Sequence, residues 1–288
     1  MCTVVVSFAP AASMPLLLLG VRDEFVGRTW QPPARHWPGS PLIGGRDEQA
    51  GGTWLAVHPA VPRVGCILNA RGEPATPALR RTRGELPLRA AAEGPAALDE
   101  LSGNPEALAS YDPFHLVGAD PAGALVLSWD GTTAVLEDLL PGTHVLTNPG
   151  HLYPPPPVTK AATQTATEES TNEAAAEAAA ETAALLKAAR FGPRFAAHRP
   201  SGDPAATMAD AWGDWLKLAV GDGLEVTDPA AIIVRRELPD GRTWGSTSVT
   251  LVALGTPAPG TPGPGTPALR YDFLPDPADP SAWYPVPV

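Results

Sequence analysis

The chain has 288 residues, 31 acidic against 20 basic side chains for a net charge of -11, and 44% apolar residues. That much apolar side chain can fill a sizeable core in one large domain or two small ones, and the acidic balance argues against nucleic acid or an anionic membrane surface as the main partner. Two cysteines, Cys2 and Cys66, are too few for a disulfide framework and point to a reducing compartment.

In chain order, Thr3 to Phe8 (TVVVSF) is rich in β-branched residues and reads as a strand. Pro15 to Gly20 (PLLLLG) reads as a second strand buried on both faces, joined to the first as a hairpin. This apolar start does not fit a signal peptide, because no cation precedes it, Ser7, Ser13 and two prolines interrupt it, and Arg22, Asp23 and Glu24 follow at once. No stretch reaches the roughly 20 apolar residues of a membrane span, so the expectation is a cytoplasmic protein without stable membrane insertion. The four glycines of IGGRDEQAGG, starting at Ile43, lack the spacing and the following helix of a nucleotide loop, and read instead as tight turns and close backbone approaches. Strands are expected at 53–58, at 64–69 with Cys66 as a buried free thiol, and at 114–119, 124–129, 132–136, 144–147, 248–254 and 269–273.

Helices are expected at Glu93 to Ser102, at Glu168 to Lys187 and at Met208 to Val220. The alanine-rich middle helix carries acids toward its start, with Lys187 and Arg190 toward its end, which suits the helix dipole. In the last, Trp212 and Trp215 share one face as core residues. Two segments are low-complexity: a connector over 154–167 beginning PPPP, and a Pro/Gly-rich loop insertion over 256–267. Neither separates two cores, so one domain over 1–288 is expected, of α+β class with covered antiparallel sheets.

Chemistry concentrates at the N-terminus. Removal of Met1 would give Cys2 both a thiol and a free α-amine, groups that ordinarily titrate near ~8.5 and ~7.7 to 8.0, so the amine can act as the base for the thiol nucleophile. Arg22 beside the thiol would favour the thiolate, and Asp23 could orient the amine. The competing reading makes Cys2 a small space-filling residue and Arg22 and Asp23 a turn ion pair. The six histidines show no metal-ligand spacing, although His144 and His151 flank Asn148 and are candidates to line a cleft there.

MCTVVVSF, RDEF at Arg22 to Phe25, IGGRDEQAGGTWLAV at Ile43 to Val57, ILN at Ile67 to Asn69 and VLTNPG at Val145 to Gly150 together resemble the NRDE family, the transport and Golgi organisation protein 2 family. The resemblance implies a four-layer αββα N-terminal-nucleophile hydrolase-like fold, with two stacked antiparallel sheets between helical layers. Its N-terminal layout is similar to that of cysteine amidases of the bile-salt hydrolase and penicillin acylase kind. Carried over by position, it implies Cys2 as nucleophile, Arg22 and Asp23 as its activators, and Asn69 and Asn148 as oxyanion donors. The chain departs from the family at Val21, where the signature has asparagine, and at Thr247, where the family holds an arginine; Arg242 could replace that arginine only if its loop folds inward. The implied function is an amidase or acyl transfer on a small non-peptide amide or thioester, with no cofactor required. The alternative is a non-catalytic carrier of haem, lipid or acyl-CoA, with Cys2 or a histidine available to iron. An interaction module with a vestigial nucleophile ranks last, and the oligomeric state is open.

Overall fold

The computed structural model describes residues 2–155, 172–256 and 269–288. The chain opens with β1 (Thr3–Phe8), β2 (Leu16–Phe25), β3 (Trp30–Ala34), β4 (Ile43–Asp47), β5 (Leu55–His58) and β6 (Arg63–Asn69). Helices α1 (Leu86–Glu93), α2 (Ala96–Ser102) and α3 (Pro105–Leu108) lead to β7 (Phe114–Asp120), β8 (Gly123–Trp129), β9 (Ala134–Asp138), β10 (Gly142–Thr147) and β11 (Gly150–Tyr153). Then come α4 (Asn172–Ala197), α5 (Met208–Trp212), α6 (Asp214–Ala219), β12 (Arg235–Glu237), β13 (Thr243–Leu254), β14 (Leu269–Leu274) and β15 (Tyr284–Pro285).

One sheet runs β11-β10-β1-β2-β13-β14-β15, with β12 added on β13, and the other runs β3 to β9 in sequence order. The pairs in both are antiparallel. The layering follows from strand alternation: Leu16 and Leu18 of β2 enter the core between the sheets, while Leu17, Leu19 and Val21 enter the core beneath α4 to α6. Both faces are covered, which is why the strand reads as an unbroken leucine run. A third core, with Leu98, Leu101 and Leu116, lies between α1 to α3 and the second sheet. The result is an αββα layering, two antiparallel sheets stacked between helical layers, and strands from both ends of the chain share one sheet.

Several local expectations are corrected. Ile43 to Asp47 is a strand, and its glycines serve close approach: a Cβ on Gly44 would sit 2.4 Å from the Leu55 carbonyl oxygen, and one on Gly45 2.2 Å from the Trp54 ring. Gly51, at φ +74°, makes the turn that follows. The Met208 to Val220 helix is broken at Gly213 (φ +48°) into α5 and α6, with Trp212 and Trp215 buried as expected. The helix expected from Glu93 starts at Ala96, after Gly94 has ended α1. Strand β3 went unrecognised because WQPPA holds two prolines, which an edge strand tolerates. Helix α4 continues to Ala197, so Lys187 is not a C-terminal dipole partner but a buried mid-helix residue. Most of the connector over 154–167 and of the loop over 256–267 lies outside the described residues.

Candidate active site

Thr3 pairs with Val21, so the chain enters β1 with Cys2 beside the β2 residues Arg22 and Asp23. Cys2 is half-buried against the core between the sheets, and its thiol lies 3.8 Å from the Asp23 carbonyl oxygen. Val21 points to the helical layer and is 2% exposed, so the asparagine missing from the signature leaves an apolar contact there, away from Cys2. Arg22 is nearly as buried. Its Nη1 donates to Thr247 Oγ1 at 2.8 Å, its Nη2 lies 3.5 Å from Asp47, and its guanidinium sits 4.6 Å from the Trp54 ring centroid. The Asp23 carboxylate accepts a 2.6 Å hydrogen bond from Ser246.

Asp47 gathers the charges on the opposite sheet. It accepts from Arg28 Nε at 2.6 Å and from the Gln49 and Ala50 N–H groups at 3.0 and 2.9 Å. Burial pushes its carboxyl pKa up, but the bonds from Arg28 and Ala50 and the charge of Arg22 outweigh that and hold it below the ordinary value. Burial raises the Cys2 thiol pKa, with the Asp23 charge adding to the rise and Arg22 pulling against it. The pull from Arg22 is smaller than the rise from burial, and the thiol sits above its ordinary value.

A cavity of about 470 Å³ brings Cys2, Arg22, Asp23 and Asn69 together. Its wall also includes Arg28, Asp47, Trp54, Arg80, Arg83 and Asp112, none of which the sequence singled out. Asn148 is not in that wall. Its Nδ2 donates to the Asn69 carbonyl at 2.8 Å, its own carbonyl accepts from His115 Nε2 at 3.1 Å, and it lines an adjoining cavity of about 430 Å³. Lys187, 2% exposed, lines that second cavity and donates to Thr3 Oγ1 at 3.1 Å. Burial lowers its pKa, opposed by the nearby charges of Asp23 and Cys2.

Two expectations fail here. His144 and His151 do not line the cleft: they bond each other at 3.0 Å, and His151 also bonds Glu137 at 2.8 Å. Arg242 does not replace the family arginine, since it pairs with Asp240 at 2.7 Å and lies over Phe25; Thr247, in that arginine's place, receives Arg22 instead. Cys66 is a buried free thiol, as expected. The described walls of the two cavities contain no histidine, and the Cys2 thiol stands among arginines and carboxylates.

Residues 1–217 match the family described as Transport and Golgi organisation 2. The chain belongs to that family. No curated protein matches it. Among solved structures it is similar to a Caenorhabditis elegans N-acylethanolamine-hydrolyzing acid amidase ortholog, at 11% identity and a TM-score of 0.38 with the whole of both chains covered, a likeness too loose to transfer the role of any residue. In this Transport and Golgi organisation 2 family member, the Arg-Asp-Glu part of the signature, Arg22 to Glu24, lines the Cys2 cavity. Among the described residues, no helix is long and apolar enough to cross a membrane.

Proposed function

We propose that this protein is an N-terminal-nucleophile cysteine hydrolase acting on a small non-peptide amide, with Cys2 exposed as the first residue by removal of Met1. The supporting observation is that Cys2, Arg22, Asp23 and Asn69 share one cavity. The α-amine of Cys2 takes the thiol proton, and the thiolate attacks the amide carbonyl to form a C–S bond. Asn69 receives the developing oxyanion. The C–N bond then breaks, and the amine leaves with the proton held by the α-ammonium. Water, giving its proton to the α-amine, attacks the thioester carbonyl, and the C–S bond breaks to return the thiol and release the acid. Arg22 keeps the thiolate accessible, and Asp23 orients the amine.

Intact-mass analysis before and after brief exposure to a thiol-directed electrophile tests this. Loss of Met1 with fast labelling at Cys2, slowed in Arg22→Ala, is the expected result; retained Met1 or an inert Cys2 overturns it. A second reading, a carrier of lipid or acyl-CoA, draws on the apolar lining of the adjoining cavity. Tight amphiphile binding beside an inert Cys2 would favour it.

A further inference from the structure

The two adjoining cavities differ in chemistry. In the one without Cys2, Ala176, Ala180 and Ala183 of α4 face Ala231, Val234 and Trp244. Alanines three and four apart lie on one helix face, and their small side chains leave the space that larger ones would fill. Its polar groups include Asn148, bonded to Asn69, and Lys187, bonded to the residue after Cys2. The Asn148 Oδ1 there is buried and has no hydrogen-bond partner. An apolar chain in this cavity would therefore have a polar end directed toward the nucleophile.

The Cys2 cavity is lined by five arginines. Arg22 and Arg28 pair with Asp47, Arg80 with Asp112 and Arg81 with Glu85. Among the described residues, Arg83 is the arginine of this wall with no carboxylate within ion-pair distance, and its Nη1 donates to the Pro113 carbonyl at 2.7 Å. That bond fixes the guanidinium at the wall and leaves its positive charge for a ligand. A fixed guanidinium is suited to a planar carboxylate.

We infer that the substrate is an N-acyl amino acid: its linear acyl chain occupies the cavity beside α4, and the carboxylate of its amine half meets Arg83. This rests on Cys2 being the nucleophile, because Cys2 sets where the scissile carbonyl lies between the two halves. The step is the one above, with the fatty acid and the free amino acid as products.

Binding to the Cys2→Ala chain, followed by calorimetry, tests the division without turnover. N-decanoylglycine is expected to bind at least about 10-fold more tightly than N-decanoylethanolamine, which lacks the carboxylate, or N-acetylglycine, which lacks the chain. Arg83→Gln should weaken N-decanoylglycine by about 10-fold and leave N-decanoylethanolamine unchanged, which also shows that the variant is folded. Ala180→Trp should weaken both long-chain ligands and leave N-acetylglycine as it was. Equal binding of the three ligands, or variants that weaken all of them alike, overturns the inference. Turnover by the wild-type chain separates the two readings. The expected binding pattern without hydrolysis removes the nucleophile and keeps the division, whereas hydrolysis of all three with equal efficiency keeps the nucleophile and removes the division.

Discussion

A hydrogen bond from Asn148, in the wall of one cavity, to the carbonyl of Asn69, in the wall of the other, links the two walls, which are built in opposite ways. The Cys2 cavity is made of charge: Arg22 is held in the protein by Asp47 and the Trp54 ring, and Asp47 by Arg28 and two backbone N–H groups. The cavity beside α4 is made of missing volume, from alanines set against Val234 and Trp244. A buried charge requires named partners in named places, so each residue of the first region depends on its neighbours. Space left by small side chains requires only that nothing larger be put there. The first region should therefore fail abruptly on substitution and the second gradually.

The largest effect is expected at the nucleophile. Cys2→Ser should lower turnover by at least about 1,000-fold while barely moving the unfolding midpoint, because the two side chains are nearly the same size. Next is Arg22→Ala. It leaves Asp47 with one fewer cation and uncovers Trp54, and removing one partner of a buried pair should cost about 3 kcal/mol in urea denaturation. The same variant should slow alkylation of Cys2, since one of the charges that pull the thiol pKa down is gone. If stability falls while labelling is unchanged, Arg22 is a packing residue and the contrast between the regions loses its chemical meaning. Gly45→Ala should cost about 1 to 3 kcal/mol by pushing Trp54 off Arg22, whereas Ala180→Ser, in the roomy cavity, should fall within about 0.5 kcal/mol of wild type.

The same contrast explains what could be read from the residues beforehand. Charged and sulfur-bearing residues in apolar strands stand out, so Cys2, Arg22 and Asp23 were recognisable; Asn69 came from the family resemblance, and the four share a wall. Arg83 and Asp112 were not recognisable, because a charged residue in a loop looks like any solvated surface residue until the loop is seen folded over the cleft. Lys187 was misread for a related reason. The end of α4 lay past the alanine run, at Ala197, so a lysine that points at Thr3 passed for a dipole partner. Apart from Asn148, the second cavity left little trace in the sequence, as its wall is drawn from segments around 70, 148, 180, 231 and 244 that mix small and apolar side chains with the charged Arg71, Glu177, Lys187 and Arg236. Its residues become a site only through the pairing of sheets and the placing of α4.

The smallest expected effect comes from the joint between the regions. His115 in β7 donates to the Asn148 carbonyl through Nε2 when its Nδ1 accepts from Ser128, which lies 2.8 Å away. Burial lowers its pKa, against the contrary pull of the Asn148 carbonyl, so the folded chain resists a proton that the unfolded chain accepts near the ordinary histidine value of about 6.5. Its contribution is complete above that value and is lost as pH falls from there toward the lowered folded value, with a slope of at most about 1.4 kcal/mol per pH unit. His144 and His58, also lowered mainly by burial, act in the same direction over the same window. Asp47 belongs to a different window: its carboxyl is held below the ordinary value, so its contribution lasts until pH falls below about 4. Urea denaturation across pH should therefore show a shallow loss of stability below pH about 6.5 and a steeper one in the carboxylate range. His115→Gln, which keeps a donor for Asn148 and cannot titrate, should flatten part of the first and none of the second. If the slope below pH about 6.5 is unchanged in that variant, the histidine does not hold the joint, and the Asn69 to Asn148 contact must be kept by the cavity walls alone.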